Sequence, residues 1–307
     1  MSSASRAVVV VCTHNRADRL ALCLASLAAQ TLPAVEWELI VIDDGSTDAT
    51  PAVCAQFSHL KNLRVIRQPN AGLGASRERG WRASTAPIVA FLDDDAEAPP
   101  DWLARILENF STAAPAAACL GGPARGNWET PPPPWLDSSL SLWITVWEPF
   151  TERRESADEH LFVGANMAFR RAALEAVNGF NSTLGRRGTS LLSHEESDLW
   201  SRLRAAGYRA IYDPQLWVKH FVPTARLTRR WFRRRLWWEG VSLARREQTS
   251  PRPFAALLMI LGSLFSRPVL GHLAHPSRWG RSIAWQCHLA YKLGYATELF
   301  RTRPPRV

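Results

Sequence analysis

The stretch Pro87-Ile88-Val89-Ala90-Phe91-Leu92-Asp93-Asp94-Asp95 decides how this chain is interpreted. Its apolar first part predicts a short buried strand. The three carboxylates that follow would repel one another at the tip of that strand. A divalent cation would remove that cost, because carboxylate oxygens suit Mg²⁺ or Mn²⁺. By itself, the triplet is better explained as a solvated acidic turn, so the choice depends on the rest of the sequence.

Length and composition favour one large α/β domain, alone or with an appendage, since the chain has 307 residues and 46% of them are hydrophobic. The five cysteines are widely spaced without a Cys-x-x-Cys pair, which indicates neither a disulfide framework nor a zinc site. The N-terminus offers no apolar segment of signal-peptide length, and the apolar stretch 254–265 is too short to span a bilayer. We therefore expect a cytoplasmic protein.

The positive charge is concentrated late in the chain. The formal net charge is +9, and residues 224–248 contain eight arginines and two glutamates. Such a surface suits nucleic acid, anionic lipid or an anionic substrate, and charge alone does not choose among them. Apolar residues fall on nearly opposite faces of a helix here, so one amphipathic surface helix is not expected. A helix packed against C-terminal helices, a partner or a bilayer fits better.

Strand and helix signals alternate through the first half of the chain. Strands are predicted over 7–12, 37–42, 63–66 and 88–92, with helices over 18–30, from 46 or 47 to about 57, over 74–83 and from 100 to 110. This order predicts a parallel sheet with helices on both faces. Ligands bind such sheets beyond the carboxyl ends of the strands. At those carboxyl ends, three polar clusters would converge: Thr13-His14-Asn15, Asp43-Asp44 and the acidic triplet.

The pattern weakens between Gly121 and Leu161, where a run of four consecutive prolines and four tryptophans predict an irregular segment that is either a packing flap or an acceptor-binding loop. Order then resumes, with strands over 162–169, 210–212 and 216–220, helices over 171–177 and 195–206, and helical structure from about 224. We predict a domain over 1–223, with a nucleotide-binding half of about 1–115 and an acceptor half of about 116–223. A helical extension over 224–307 follows.

Seven short motifs occur in a fixed order within residues 7–220. They are Thr13-His14-Asn15-Arg16, 26–31, 41–48, 70–77, 91–95, Gly164-Ala165-Asn166 and 195–199. Together the set resembles a family 2 glycosyltransferase with a GT-A fold. The resemblance implies an α/β fold with a Rossmann-like, mostly parallel sheet flanked by helices. It also implies metal-assisted, inverting transfer of a sugar from a nucleotide-diphosphate sugar to a hydroxyl acceptor, with Mg²⁺ or Mn²⁺.

The same resemblance implies roles for individual residues. Donor binding would fall to Thr13, His14, Asn15, Arg16, Asp43, Asp44, Arg77, Asp93 and Asp94. Asp44 would contact the nucleobase. Asp93, Asp95 and His220 would hold the metal against the diphosphate, although a lone histidine after a strand is often structural. The donor sugar or acceptor would lie near Gly164, Ala165, Asn166 and Asp198.

Inversion requires a base that deprotonates the acceptor hydroxyl. The family usually places Glu-Asp before a helix, whereas this chain has Glu195-Glu196, whose second acid is one methylene longer. This departure leaves two candidates for the base. We choose Glu196, with Glu195 as the alternative.

Other classes of protein explain less of the sequence. A nicotinamide oxidoreductase would need a Gly-x-Gly-x-x-Gly turn after the first strand, and a sugar nucleotidyltransferase a glycine-rich loop with a basic residue there; 10–15 contains no glycine. The converging carboxylates argue against nucleic acid as a partner. A non-catalytic membrane-associated scaffold explains only the Arg/Trp stretch. The acceptor stays open among a glycan, a lipid-linked saccharide of the cell envelope and a small molecule, with peripheral contact at the inner membrane face expected through 224–265.

Overall fold

The computed structural model describes residues 5–247 and 283–301. Its strands are β1 Ala7–Thr13, β2 Trp37–Asp43, β3 Leu63–Arg67, β4 Ile88–Leu92, β5 Ala96–Glu97, β6 Ala117–Gly121, β7 Ala124–Trp128, β8 Arg154–Ser156, β9 Asn166–Arg170, β10 Arg209–Tyr212 and β11 Val218–Val222. Its helices are α1 Ala17–Ala28, α2 Thr50–Gln56, α3 Leu73–Arg82, α4 Trp102–Thr112, α5 Ser138–Ser141, α6 Arg171–Ala176, α7 Glu195–Ala205, α8 Arg229–Glu247 and α9 Ile283–Arg301.

The main sheet has eight strands in the order β3-β2-β1-β4-β9-β6-β10-β8. Strand β1 is parallel to both β2 and β4, and β2 is parallel to β3, as the βαβα order predicts. Strand β9 lies antiparallel between β4 and β6, and β8 is antiparallel to β10. Thr13 of β1 lies opposite Asp43 of β2, so both residues lie at the same edge of the sheet. The predicted α/β architecture is therefore confirmed, with antiparallel strands added beyond β4.

Helices cover both faces of this sheet, because alternate residues of β1 point to opposite sides. Val9 and Val11 join one buried cluster with residues of α1 and α4, including Leu24 and Trp102. Val10, which lies between them, joins a second cluster that contains Trp81. Burial of each large side chain contributes about 1.5–3 kcal/mol. The β1 sequence, which is apolar from Ala7 to Cys12, fits a strand covered on both sides.

A small sheet in the order β5-β11-β7 places His220 beside the acidic triplet. His220 pairs with Ala96 across the antiparallel β5–β11 ladder. The amide of Phe221 donates to the carbonyl oxygen of Asp95 at 2.8 Å. These backbone contacts hold the end of β11 next to the segment that follows β4.

The segment 121–161 contains more regular structure than its sequence predicts. It includes three short elements, β7, α5 and β8, although most of the segment lies outside them, as the irregular pattern predicts. Two of its tryptophans pack against aromatic rings: Trp147 against Tyr212 at 5.4 Å, and Trp135 against Phe232 at 5.5 Å between ring centroids. Pairing with strands distant in sequence supplies order that local pattern does not indicate.

Two element boundaries also differ from prediction. Helix α2 begins at Thr50 rather than after Ser46 or Thr47, because the Ser46 hydroxyl accepts from the amide of Asn15 instead of capping the helix. The carboxylate of Asp48 accepts from the Thr50 amide at 3.0 Å. The strand predicted over 162–169 begins only at residue 166, so the residues from 162 to 165 form the turn that enters it.

The chain divides into two compact units. The first comprises Met1–Asn127, Thr145–Thr183 and Glu195–Phe221, and the second Trp128–Ile144, Leu184–His194 and Val222–Val307. Within the second unit, α8 packs closely on α9: a Cβ added to Gly240 would overlap the carbonyl oxygen of Tyr291. The sequence left three surfaces open for α8, namely C-terminal helices, a partner or a bilayer. The structure shows the C-terminal helix α9 against it. Among the described residues, no helix combines the length and apolarity needed to cross a bilayer.

Candidate active site

The loops that follow β1 and β2 are tied together by side-chain hydrogen bonds. Asn15 adopts a left-handed conformation with φ 52°, which asparagine tolerates better than most residues. Its Oδ1 accepts from the Thr47 amide at 2.7 Å, and its own amide donates to the Ser46 hydroxyl at 3.0 Å. The Asp43 carboxylate accepts from the Ser46 amide at 2.8 Å. Asn15 and Asp43, both predicted to bind nucleotide, shape this edge of the sheet.

The Asp44 carboxylate is buried and organises the loop before α3. One oxygen accepts from the Gln68 side-chain amide at 2.7 Å and the Ala71 backbone amide at 2.8 Å. The other accepts from the amide of Gly72 at 2.9 Å. The His14 ring lies 2.9 Å from the Asp44 carbonyl oxygen. Sequence reasoning missed Gln68, because no local signal relates it to a carboxylate 24 positions earlier. The nucleobase contact of Asp44 stays a prediction.

Arg16 is the counter-ion of the acidic triplet. Its Nη1 donates to Asp94 at 2.9 Å and to Asp95 at 2.7 Å. The Asp94 charge and, secondarily, the Asp95 charge hold the pKa of Arg16 above its ordinary range, although burial opposes them. Burial raises the pKa of Asp94 to about 6, against the effect of Arg16. The guanidinium therefore partly offsets the repulsion that the sequence implies at this tip.

A second arginine joins the triplet to the acid pair on α7. Arg77 is buried on α3; its Nη1 donates to Glu195 at 2.7 Å and its Nη2 to Asp93 at 2.9 Å. Nη2 also donates to the carbonyl oxygen of Gly164 at 3.0 Å. Burial lowers the pKa of Arg77, but Asp93 and Glu195 outweigh burial and raise it. The planar fork of arginine suits such bridging, which a lysine would not reproduce.

Gly164 leaves space for this guanidinium. A Cβ at position 164 would lie 2.9 Å from Nη2 of Arg77, closer than real Cβ contacts. The neighbouring Ala165 is fully buried. In this structure Gly164 therefore contacts Arg77, and Ala165 is buried in the core.

Glu195 and Glu196 lie in the first turn of α7. Burial raises the pKa of Glu195 to about 8, aided by the charge of Glu196 and opposed by Arg77. Asp198, in the same turn, pairs with Arg202 at 2.8 Å.

Three side chains form a candidate metal centre. Asp93, Asp95 and His220 each offer a ligand atom, and these atoms lie within 4.8 Å of one another. His220 Nε2 is 3.3 Å from Asp95 Oδ1, and the buried Nδ1 of His220 has no hydrogen-bond partner among the described residues. Two carboxylates and an imidazole fit Mn²⁺ or Mg²⁺ as ligands. The residues present therefore suit the predicted ion.

Asn166 occupies a fully buried position between elements of the fold. Its Oδ1 accepts from the indole of Trp102 at 3.0 Å. Its Nδ2 donates to the carbonyl oxygens of Leu216 and Pro123 at 2.5 and 3.2 Å. These bonds connect α4, β9 and the segment before β11. Its amide is thus engaged by protein groups, and the predicted sugar contact stays untested.

The chain belongs to Glycosyl transferase family 2, whose model matches residues 8–177. It is 28% identical over 240 residues to the glucosyl-dolichyl phosphate glucuronosyltransferase of Haloferax volcanii, covering 76% of this chain and 75% of that protein. It is 28% identical over 239 residues to the succinoglycan biosynthesis protein ExoM of Rhizobium meliloti, covering 75% and 71%.

A solved structure supports the fold. The mannosyltransferase PcManGT from Pyrobaculum calidifontis, in complex with GDP-Man and Mn²⁺, matches with a TM-score of 0.65 and 21% identity, covering 98% of this chain and 89% of that one. The predicted GT-A fold and the predicted family are confirmed, and the chain is a family 2 glycosyltransferase.

Proposed function

We propose that this chain transfers a sugar from a nucleotide-diphosphate sugar to a hydroxyl acceptor with inversion at the anomeric carbon. One observation carries the proposal: the buried Arg77 guanidinium contacts both Asp93, a candidate metal ligand, and Glu195 of the acid pair. Donor-holding groups and a proton acceptor are therefore neighbours of one side chain. Both are needed when a hydroxyl displaces a diphosphate.

In the proposed reaction, Glu196 takes the proton of the acceptor hydroxyl. The hydroxyl oxygen then bonds the anomeric carbon as the bond from that carbon to the diphosphate oxygen breaks. Glu195 is less suited to this role, since Nη1 of Arg77 occupies its Oε1.

Asp93, Asp95 and His220 would hold Mg²⁺ or Mn²⁺. An ion there would supply Lewis-acid stabilisation of the diphosphate leaving group. The chain's own residues prepare the site: Arg16 engages Oδ2 of Asp95, while Oδ1 of Asp95 faces His220. That arrangement limits the freedom of the Asp95 carboxylate before any ligand arrives.

The acceptor is proposed to be a glycan or a lipid-linked saccharide of cell-envelope or polysaccharide biosynthesis. Two relatives with similar coverage are named for a glucosyl-dolichyl phosphate and for succinoglycan, and these names motivate the choice. GDP-Man in the structural neighbour makes GDP-sugars reasonable first donors to test.

The test incubates purified protein with Mn²⁺, a panel of nucleotide sugars and candidate saccharide acceptors. Nucleoside diphosphate release and the anomeric configuration of the product are measured by coupled assay and NMR. We expect release with at least one donor, an inverted product, and loss of both in Asp95→Asn. A retained anomeric configuration would reject inversion, and the absence of nucleotide binding would reject the enzyme hypothesis in favour of a scaffold.

We also propose peripheral membrane contact through residues 224–265, at the inner face of the membrane. The support is local: Arg229, Arg230, Arg233 and Arg234 are exposed on the first turns of α8. The part of this stretch beyond residue 247 lies outside the described residues. Vesicle flotation with and without anionic lipid tests the contact; equal flotation after replacing these four arginines by glutamine would reject it.

A further inference from the structure

Two residues directly before α7 are held by one carboxylate of α8. His194 Nε2 lies 2.8 Å from Oε1 of Glu239, and the Ser193 hydroxyl donates to Oε2 of Glu239 at 2.8 Å. Both oxygens of Glu239 thus engage the segment that ends at His194. We call this set of contacts, from Ser193 and His194 to α8, the α8 clamp.

Further bonds from the same side of α8 complete the α8 clamp. The Ser242 hydroxyl accepts from the Ser193 amide at 3.0 Å, and Arg246 lies 3.4 Å from Nδ1 of His194. Glu239, Ser242 and Arg246 are spaced three and four residues apart, which places them along one helical stripe. Glu239 and Ser242 are buried, so these bonds form out of water, where leaving a partner unsatisfied is expensive.

The backbone at the α8 clamp is unusual. His194 has φ +76°, a left-handed conformation that a non-glycine residue adopts at an energetic cost. The next residue, Glu195, is the first of α7. Strained residues persist only where their surroundings hold them, and they occur preferentially at functional sites. The bonds to Glu239 supply such a hold on the side chain of His194.

We propose that Glu239 is a positioning residue for the transfer reaction. By fixing Ser193 and His194, it fixes the backbone conformation from which the first turn of α7 starts, and so the direction of the Glu195 and Glu196 side chains. This inference rests on the proposed function of that pair. It gives α8 a role in catalysis that is separate from any membrane contact of its exposed arginines.

The effect on rate follows from the demands of proton transfer. A general base must come within hydrogen-bond reach of the hydroxyl, and a misplacement of about 1 Å costs up to roughly 100-fold in rate. None of the residues proposed to bind nucleotide belongs to the α8 clamp. Loosening the α8 clamp is therefore expected to lower kcat while donor affinity stays unchanged.

Glu239→Ala and Glu239→Gln test the inference, with Glu247→Gln as the matched control. Glu247 is also on α8, but it accepts from the hydroxyl of Tyr295 on α9 at 2.7 Å. We expect kcat to fall at least about tenfold in Glu239→Ala and less in Glu239→Gln, which keeps an acceptor oxygen. The Kd of Mn²⁺ and nucleoside diphosphate should stay within about twofold of the parent in all three variants, since their donor residues are intact.

Hydrogen exchange of the amides of residues 193–199 provides a readout independent of turnover. Glu239→Ala should accelerate exchange there, and Glu247→Gln should not. Unchanged kcat in a folded Glu239→Ala, or equal losses of kcat and nucleotide affinity in Glu239→Ala and Glu247→Gln, would overturn the positioning role. If the parent transfers no sugar, the proposed function fails, and unchanged exchange in Glu239→Ala would separately reject the α8 clamp.

Discussion

Nη1 of Arg77 lies 2.7 Å from Oε1 of Glu195, and both side chains are buried. These residues are 118 positions apart in sequence. Because the other terminal nitrogen of Arg77 contacts Asp93, the pair connects α7 with the acidic end of β4. Removing one partner of a buried ion pair leaves an uncompensated charge, so this contact has consequences for stability as well as for activity.

Replacing Arg77 should damage both properties. Arg77→Met leaves two carboxylates without their shared partner, and we expect the free energy of unfolding to fall by about 3–5 kcal/mol. Arg77→Lys retains the charge but not the planar fork, so we expect a smaller loss with reduced turnover. Urea unfolding and kcat provide the measurements. Arg82→Lys, at an exposed position on the same helix, is the control; equal effects at positions 77 and 82 would argue against the bridge.

The metal centre predicts a specific loss of ion affinity. Asp95→Asn and His220→Gln should each weaken Mn²⁺ binding at least about tenfold, because each removes or alters a ligand. Calorimetry with a nucleoside diphosphate present measures the Kd. Asp101→Asn replaces an acid paired with Arg105 before α4 and should leave the Kd unchanged. Parent-like Mn²⁺ affinity in both site variants would mean that these side chains do not bind the ion.

Asn166 is expected to act through stability. Asn166→Ala removes the partner of three buried groups, on Trp102, Leu216 and Pro123, and should reduce the free energy of unfolding by about 3 kcal/mol. Asn181→Ala, which removes a bond to the nearby Thr183, serves as the control. If Asn166→Ala is as stable as the parent but binds the nucleotide sugar more weakly, the sugar-contact prediction is favoured instead.

The contacts of Glu239 predict that the free energy of unfolding decreases at acidic pH. Burial alone would raise its pKa, but the bond to His194 and the charge of Arg235 lower it from 4.5 to about 2. The unfolded chain therefore binds more protons between pH 4.5 and pH 2. The contribution of Glu239 is complete above that range and is lost as pH falls through it, amounting to about 3 kcal/mol.

Urea unfolding of the parent and Glu239→Gln between pH 2 and pH 7 measures that contribution. The difference in unfolding free energy between the two proteins should be largest at neutral pH and should shrink as the pH approaches 2. A difference that is constant over this range would show that the Glu239 carboxylate is not stabilised by its partners.

Local sequence patterns are sufficient to predict the strands and helices of the first half of the fold. Apolar strands such as 88–92 alternate with helices whose apolar residues recur at helical spacing, and both signals are local. The antiparallel insertion of β9 and the short strand β8 depend on partners far away in sequence, which single-sequence patterns do not encode.

In the candidate site, too, some residues can be predicted from local sequence and others cannot. Asp93 and Asp95 follow a strand and were predicted from that position, and the structure places His220 beside them. The contacts that orient the acids were not predicted: Arg16 with Asp94, and Glu239 with His194, join segments separated by 78 and 45 residues. Such pairs arise from the fold, because neither partner carries a local signal for the other.

The central claim is that Glu196 accepts the proton of the acceptor hydroxyl. Its most direct test is the kcat for nucleoside diphosphate release in Glu196→Gln, compared with the parent and with Glu175→Gln, an exposed control on α6. A neutral amide cannot take the proton, so we predict a fall of about 10²–10⁴-fold in kcat. The Kd of Mn²⁺ and nucleotide should stay at the parent value. Turnover by Glu196→Gln within about twofold of the parent would contradict the assignment.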